Sequence, residues 1–247
     1  MARAPIILLH GAFSHAGHFA GWNRLFSQAG FECHAPPLPG HAPNDPSALE
    51  SLTLDDYLTA LKREFADLVT PPIIIGHSMG GLLAQQLAAV MRCEALICIA
   101  SAPPWMLIPQ IRALRFLAPM MPAVLSGRPI HPTEATFRNL LVHDLPECEQ
   151  RHLIQSFGAE SGRAFREMIL GLARLPGKRF RGPVLCLSGG EDLIISSRTS
   201  KAIARYYGAP HETFPRRGHW LIASSAEQEV AGRVVRWLEE YVPRSNS

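Results

Sequence analysis

Uninterrupted apolar runs recur along the chain and are separated by segments with apolar residues at helical spacing. Runs without polar alternation are typical of strands buried on both faces of a parallel sheet. Two shorter strands are predicted at residues 31–35 and 211–214. The longer runs lie at residues 5–9, 73–75, 95–100 and 183–188.

Helix-forming segments alternate with these strands. In the first of them, Phe19, Trp22 and Phe26 share one helical face, and Gly30 follows as a C-cap. A sequence typical of a capping box begins at Thr53 and starts the second. The predicted helices span residues 19–29, 53–69, 82–91, 197–207 and 225–242, and the proline-rich stretch at 36–51 is a predicted loop. This alternation predicts one α/β domain with a doubly wound, mostly parallel sheet.

The apolar run at residues 73–75 leads directly into Gly76-His77-Ser78-Met79-Gly80, and a helix-forming stretch follows. Gly-x-Ser-x-Gly between a strand and a helix is typical of a nucleophile elbow, a sharp turn that exposes a serine hydroxyl. The alternative is a tight β–α turn that contains a serine by chance. The flanking strand and helix favour the elbow, with Ser78 as the candidate nucleophile.

The chain resembles the α/β-hydrolase family. The resemblance rests on the elbow, on His10-Gly11 after the first run, and on Asp192 and His219, which follow in the family's order. It covers most of the chain and is thin between about residues 103 and 178. Family members usually have antiparallel strands before the His-Gly strand. Because few residues precede Ile6, we expect six parallel strands with the Ile6 strand first.

The resemblance and the residues together indicate a catalytic triad. A serine hydroxyl needs a base at hydrogen-bond distance, and His219 lies in the loop after the last predicted strand, at the sheet edge where Ser78 stands. The alternative is a surface-loop histidine, one of eleven in the chain. Asp192 follows the strand at 183–188 and is the expected orienting acid. Glu191 is the neighbouring alternative, but the family's Gly-x-x-Asp pattern favours Asp192.

Two backbone N–H groups are expected to form an oxyanion hole. Met79 directly follows the nucleophile at a helix N-terminus, where the helix dipole favours negative charge. The resemblance implies that the second donor is Ala12, with Phe13 as second choice. A simple strand exit is the alternative for His10-Gly11.

The segment between residues 103 and 178 loses the β–α rhythm and is rich in apolar residues and methionines. The resemblance implies a helical cap (lid) at 103–178 over a core formed by residues 1–102 and 179–247. We expect an apolar substrate pocket lined by Phe13, His15, Trp105 and Trp220. Two alternatives are equally open: His15 is a solvated loop residue, and the apolar cap residues only pack on the core.

Charge and cysteine content narrow the function classes. The net charge of +3 comes from interspersed residues of both signs, which argues against a nucleic-acid partner. The clustered histidines lack metal-ligand spacing, so no metal is expected, and no cofactor is implied.

The cysteines lack CxxC spacing, and Cys98 and Cys186 lie in predicted strands, which favours a reducing, cytoplasmic location. The first apolar run is too short for a signal peptide, and no run approaches membrane-spanning length.

These features predict a serine hydrolase that cleaves carboxylic esters of small to medium apolar substrates through an acyl-enzyme on Ser78. Epoxide hydrolases and haloalkane dehalogenases of the family carry aspartate at the elbow, so they are excluded. A thioesterase or acyltransferase with the same triad is the first alternative. A non-catalytic hydrolase-like ligand-binding protein is the second. The expected partner is a small-molecule ester or thioester, and the oligomeric state stays open.

Overall fold

The structure is a computed structural model that describes residues 3–41, 47–177 and 179–242. Its centre is a six-stranded sheet in the order β2-β1-β3-β4-β5-β6, and all neighbouring strands are parallel. The strands are β1 (Ile6–Leu9), β2 (Cys33–His34), β3 (Ile73–His77), β4 (Ala95–Ile99), β5 (Val184–Gly189) and β6 (His211–Phe214). The prediction of a six-stranded parallel sheet that begins with the Ile6 strand is confirmed.

The strand order explains why helices flank both faces of the sheet. The chain moves one way from β1 to β2 and the other way from β3 to β6, and right-handed crossovers then place the connecting helices on opposite faces. The helices outside the β4–β5 connection are α1 (Ala20–Gln28), α2 (Leu54–Glu64), α3 (Met79–Val90), α9 (Ser197–Tyr207) and α10 (Glu227–Tyr241). Short 3₁₀ turns lie at Ala16–Phe19, Ser47–Glu50 and Ser224–Ala226.

The central strands form the core because their side chains are apolar on both faces. Every residue of β1, β3, β4 and β5 is buried. The edge strands are shorter or more exposed than the centre: β2 covers only Cys33–His34 of the predicted 31–35, and β6 is half-buried. Helix α2 ends at Glu64, short of the predicted residue 69, and the chain continues in turns.

A helical insertion, residues 103–177, connects β4 to β5. Its helices are α4 (Leu114–Leu117), α5 (Met121–Ser126), α6 (Glu134–Thr136), α7 (Glu147–Ser156) and α8 (Gly162–Leu170), with 3₁₀ turns at Ile111–Ala113 and Ala118–Met120 and a π-helical turn at Phe137–Leu141. Helix α5 packs against α8. The division into core and cap stays a prediction. Its boundary residue Lys178, and residues 42–46 of the predicted loop, lie outside the described residues.

Within the described residues, no helix combines the length and apolar character needed to cross a membrane.

Candidate active site

Ser78 lies in a backbone conformation that only a constrained turn permits. Its φ is 56° and its ψ is −120°, between the end of β3 and the first turn of α3. The flanking glycines make this turn possible. A Cβ on Gly76 would overlap the backbone of Gly80, and a Cβ on Gly80 would overlap the carbonyl oxygens of Leu9 and His10. The sharp turn places the Ser78 hydroxyl at the carboxyl end of the sheet.

A chain of hydrogen bonds joins Ser78, His219 and Asp192. The distance from Ser78 Oγ to His219 Nε2 is 3.0 Å, and His219 Nδ1 lies 2.8 Å from Asp192 Oδ2. His219 and Asp192 follow β6 and β5, so all three residues stand at the same sheet edge. Ser78 is 9% exposed, His219 3% and Asp192 0%. The structure thus brings together the three predicted triad residues, at distances suited to proton transfer from the hydroxyl to the imidazole.

The environment of Asp192 keeps its carboxylate aimed at His219. Its second oxygen, Oδ1, accepts hydrogen bonds from the backbone N–H groups of Ile194 and Ile195, both at 2.8 Å. A carboxylate bonded in this way accepts the His219 Nδ1–H and leaves Nε2 free to accept from Ser78. The neighbouring Glu191, the alternative acid, is exposed at the surface.

Two supporting residues escaped the sequence analysis. His77 Nε2–H donates to the backbone oxygen of His219 at 2.9 Å, and Gln110 Nε2–H donates to the backbone oxygen of Asp192 at 2.6 Å. Burial, and then the nearby His219, lower the pKa of His77 well below its usual value, so this ring stays neutral. Both bonds end on backbone atoms of distant loops, and no local sequence pattern predicts such a pairing.

Ala12 and Met79 carry the two candidate oxyanion N–H groups: Met79 directly follows Ser78, and Ala12 lines the same cavity as the serine. Met79 is the first residue of α3, and Ala12 follows β1 in the Gly11–Ser14 turn. Neither N–H donates to a backbone carbonyl within the part of the chain that the structure describes. Both are therefore available for an external acceptor, as an oxyanion hole requires.

An apolar cavity of about 380 Å³ reaches Ser78 and His219. Ala12, Phe13, Ile194 and Ile195 line its floor, and most of the remaining wall comes from the helical insertion, including four methionines. Three of the lining residues are at least 45% exposed and therefore mark the mouth of the cavity: Met106, Leu114 and Leu170. Among the described lining residues, only Ser78, His219 and Thr136 carry polar hydrogen-bonding side chains.

Phe13 is the one predicted pocket residue that lines this cavity. His15, Trp105 and Trp220 do not line this cavity, and each of these side chains has another place in the fold. His15 caps the first 3₁₀ turn, where its ring accepts the Gly17 N–H at 3.1 Å. Trp105 is 36% exposed and contacts Tyr206 of α9, with a ring distance of 6.3 Å.

Trp220 is fully buried behind the triad. Its ring packs edge-on against His18 and Phe157, at centroid distances of 5.0 and 4.8 Å, and against His77 at 5.4 Å. Composition alone does not show the direction in which such a side chain points.

Comparisons with known proteins decide the family. A family model described as alpha/beta hydrolase matches residues 6–233. The chain belongs to the alpha/beta hydrolase family. The His219 loop and the elbow lie within the matched range, as does the whole helical insertion.

Individual proteins resemble the chain to different extents. A magnesium-chelatase 30 kDa subunit of Rhodobacter capsulatus is 26% identical over 96% of this chain and 88% of its own length. A pyrethroid hydrolase of Sphingobium wenxiniae is 32% identical, but the match spans 36% of this chain and only 31% of that protein. A methylesterase from Arabidopsis has a TM-score of 0.74 and covers 96% of this chain and 99% of its own, at 14% identity. That structure shows a shared fold.

No group of three or more His, Cys, Asp or Glu side chains among the described residues is arranged to hold a metal ion.

Proposed function

We propose that this alpha/beta hydrolase is a serine carboxylic-ester hydrolase with the triad Ser78, His219 and Asp192. One observation carries the proposal: the hydrogen-bonded chain from Asp192 through His219 to Ser78 ends at the floor of an apolar cavity. A relative named as a methyl ester esterase and a structural neighbour named as a methylesterase support the same reaction class.

The first half-reaction acylates the serine. Ser78 Oγ attacks the ester carbonyl while His219 Nε2 takes its proton, and Asp192 stabilises the resulting imidazolium. The Ala12 and Met79 N–H groups stabilise the negative charge on the former carbonyl oxygen. The tetrahedral intermediate collapses, His219 returns the proton to the alcohol oxygen, and the alcohol leaves.

The second half-reaction restores the enzyme. A water molecule gives a proton to His219 Nε2 and attacks the acyl carbon. The same two N–H groups stabilise the second tetrahedral intermediate. His219 then returns the proton to Ser78 Oγ, and the carboxylic acid is released.

The cavity wall favours a neutral, apolar group on one side of the ester. Apart from Ser78 and His219, Thr136 is the one polar residue in the described lining, and its hydroxyl already hydrogen-bonds the backbone oxygen of Phe116 at 3.2 Å and the hydroxyl of Thr133. An unpaired charge placed against such a wall would lose its hydration without compensation. A volume of about 380 Å³ suits a small to medium group, at the lower end of the usual range for ligand sites.

Labelling with a fluorophosphonate tests the proposal. The wild type is expected to take one adduct, located on Ser78 by peptide mass spectrometry, and Ser78→Ala to take none. Turnover of p-nitrophenyl esters by Ser78→Ala is expected to fall by about 10⁴-fold or more. A wild type that takes no adduct would instead support a non-catalytic ligand-binding protein. A parallel panel of acyl thioesters separates ester from thioester cleavage.

A further inference from the structure

The loop after β1 carries the Ala12 N–H, and its conformation needs support from outside the loop. Phe13 has a φ of 63°, in the left-handed region that a bulky side chain rarely adopts. Such a conformation persists only where the surroundings hold it. The contacts that hold it therefore bear on the oxyanion hole.

Two hydrogen bonds aim the Ala12 N–H. The carbonyl oxygen of Gly11 accepts from His10 Nδ1 at 3.0 Å and from the Ser14 N–H at 3.3 Å. His10 Nε2 accepts the Leu38 N–H at 3.2 Å, which leaves the proton on Nδ1 for Gly11. Because a trans peptide is planar, the direction of the Gly11 C=O fixes the Ala12 N–H in the opposite direction.

The helical insertion holds the other half of the loop. The Gly158 N–H donates to the carbonyl oxygen of Phe13 at 2.9 Å. Ser14 Oγ lies 2.8 Å from His18 Nδ1, and His18 Nε2 lies 2.7 Å from Ser156 Oγ, at the last residue of α7. A continuous hydrogen-bonded path thus runs from the insertion through His18 to Ser14, and from the Ser14 N–H to Gly11.

The directions of these bonds follow from the tautomer of His18. The His15 N–H points at His18 Nδ1 at 3.4 Å, so Nδ1 is the acceptor and the proton lies on Nε2, which donates to Ser156. Burial, and then His15 and His152, lower the pKa of His18 to about 3, so the ring is neutral near neutral pH. Phe157 and Trp220 pack edge-on against the ring.

We propose that His18 is a positioning residue of the oxyanion hole and that residues 156–158 complete this hole only while the insertion is docked on the core. The inference rests on the proposed function. Its consequence is specific: displacement of the insertion removes the cavity roof and misaligns the Ala12 N–H in one step. The enzyme then activates an ester carbonyl only in the closed form.

The first test removes one hydroxyl from the path. Ser156→Ala deletes the partner of His18 Nε2, and Ser126→Ala is the matched control. Ser126 is also the last residue of an insertion helix, and it likewise donates to a carbonyl of its own helix, Pro122, at 2.8 Å. We expect Ser156→Ala to lower kcat for p-nitrophenyl esters at least about tenfold with KM within about twofold, and Ser126→Ala to match the wild type.

The second test removes the N–H that holds Phe13. Gly158→Pro deletes this donor, and Gly158→Ala keeps it at a site where an added Cβ meets nothing within 4 Å. Phe157 already has φ −72° and ψ 143°, the conformation favoured before a proline. We expect kcat of Gly158→Pro to fall at least about tenfold below that of Gly158→Ala. Ser156→Ala carries the test alone if Gly158→Pro fails to fold.

A tetrahedral analogue provides a readout that a purely structural role does not change. A trifluoromethyl ketone bound to Ser78 places its anionic oxygen in the hole, and the unreactive ether of the same chain does not. Ser156→Ala should weaken the binding of the ketone by a factor similar to the loss in kcat and leave the binding of the ether unchanged. A raised KM with unchanged kcat, or equal kcat in Ser156→Ala and Ser126→Ala, overturns the inference.

Labelling separates the two proposals. If the wild type takes no fluorophosphonate adduct on Ser78, that result contradicts the proposed function and therefore also the inference that rests on it. A wild type labelled on Ser78, together with Ser156→Ala labelled at the same rate, removes only the inference about His18.

Discussion

Asp192 and Glu191 are adjacent carboxylates with opposite surroundings. Asp192 is fully buried, and its two oxygens face His219 and two backbone N–H groups. Glu191 is exposed, and its own N–H donates to the backbone oxygen of Arg217 at 2.9 Å. That bond ties the two loops of the site together and turns the Glu191 side chain outward. These backbone hydrogen bonds determine which of the two adjacent carboxylates contacts the His219 ring.

Asp192→Asn is expected to lower kcat by about 10⁴-fold, because an amide that donates toward His219 favours the wrong tautomer of the ring. Glu191→Gln is the matched control and should retain kcat within about twofold, since it alters an exposed side chain. Steady-state hydrolysis of a p-nitrophenyl ester measures both. A larger loss in Glu191→Gln than in Asp192→Asn would show that the orienting acid is misassigned.

The central strands could be predicted because each contains an uninterrupted apolar run, and the observed β1, β3, β4 and β5 lie on those runs. Edge strands and helix ends were less predictable, because neighbouring elements decide where pairing stops. Ser78, Asp192 and His219 could be predicted from their local motifs and from their order along the chain. The contact between His18 and Ser156 spans 138 positions and depends on how the insertion docks, so no motif contains it.

Helix α2 begins with a reciprocal pair of hydrogen bonds that the sequence predicted. Thr53 Oγ1 accepts the Asp56 N–H at 3.3 Å, and Asp56 Oδ2 accepts the Thr53 N–H at 2.9 Å. These bonds satisfy N–H groups that have no partner inside the helix. The first turn of α2 also meets the insertion, because the Leu54 N–H donates to Glu167 of α8 at 3.0 Å.

Thr53→Ala is expected to lower the free energy of unfolding by about 1 kcal/mol, the usual cost of losing a threonine N-cap. The control is Thr59→Ala, at an exposed site within α2, where alanine should be neutral or slightly stabilising. Urea denaturation followed by circular dichroism compares the two. Equal stability of both variants would mean that the capping box contributes nothing in solution.

A buried polar cluster joins the core to the insertion. Glu160 is fully buried just before α8, and its carboxylate accepts from Tyr57 Oη at 2.7 Å and from His41 Nε2 at 3.0 Å. His41 Nδ1 also lies 3.0 Å from the backbone oxygen of Pro39, so both ring nitrogens donate and the ring is cationic. Burial opposes that charge, but Glu160 raises the pKa of His41. A paired buried carboxylate resists separation from its partners, so this cluster favours the docked insertion.

Three buried histidines, His10, His18 and His77, are held in the neutral form by the fold. Burial is the main cause that lowers the pKa of His10 and of His18 to about 3, and it places the pKa of His77 well below its usual value. In the unfolded chain these rings titrate near their ordinary value of about 6.5. Below that pH the unfolded state therefore binds protons that the native state does not. By linkage, each ring makes stability fall as the pH drops, by up to about 1.4 kcal/mol per pH unit.

We therefore expect the free energy of unfolding to fall steadily between pH 6.5 and about 4.5, above the range in which most carboxylates titrate. His41 adds no slope there, because its raised pKa leaves it protonated in both states, and its contribution is lost only as the pH rises above 6.5. His18→Phe should reduce the slope, whatever it does to stability at pH 7, since it removes one of the three rings. His131→Gln, at an exposed site, keeps all three rings and therefore the slope. Urea titrations at half-unit pH intervals measure this slope, and an equal slope in His18→Phe and the wild type would show that His18 is not held neutral by the fold.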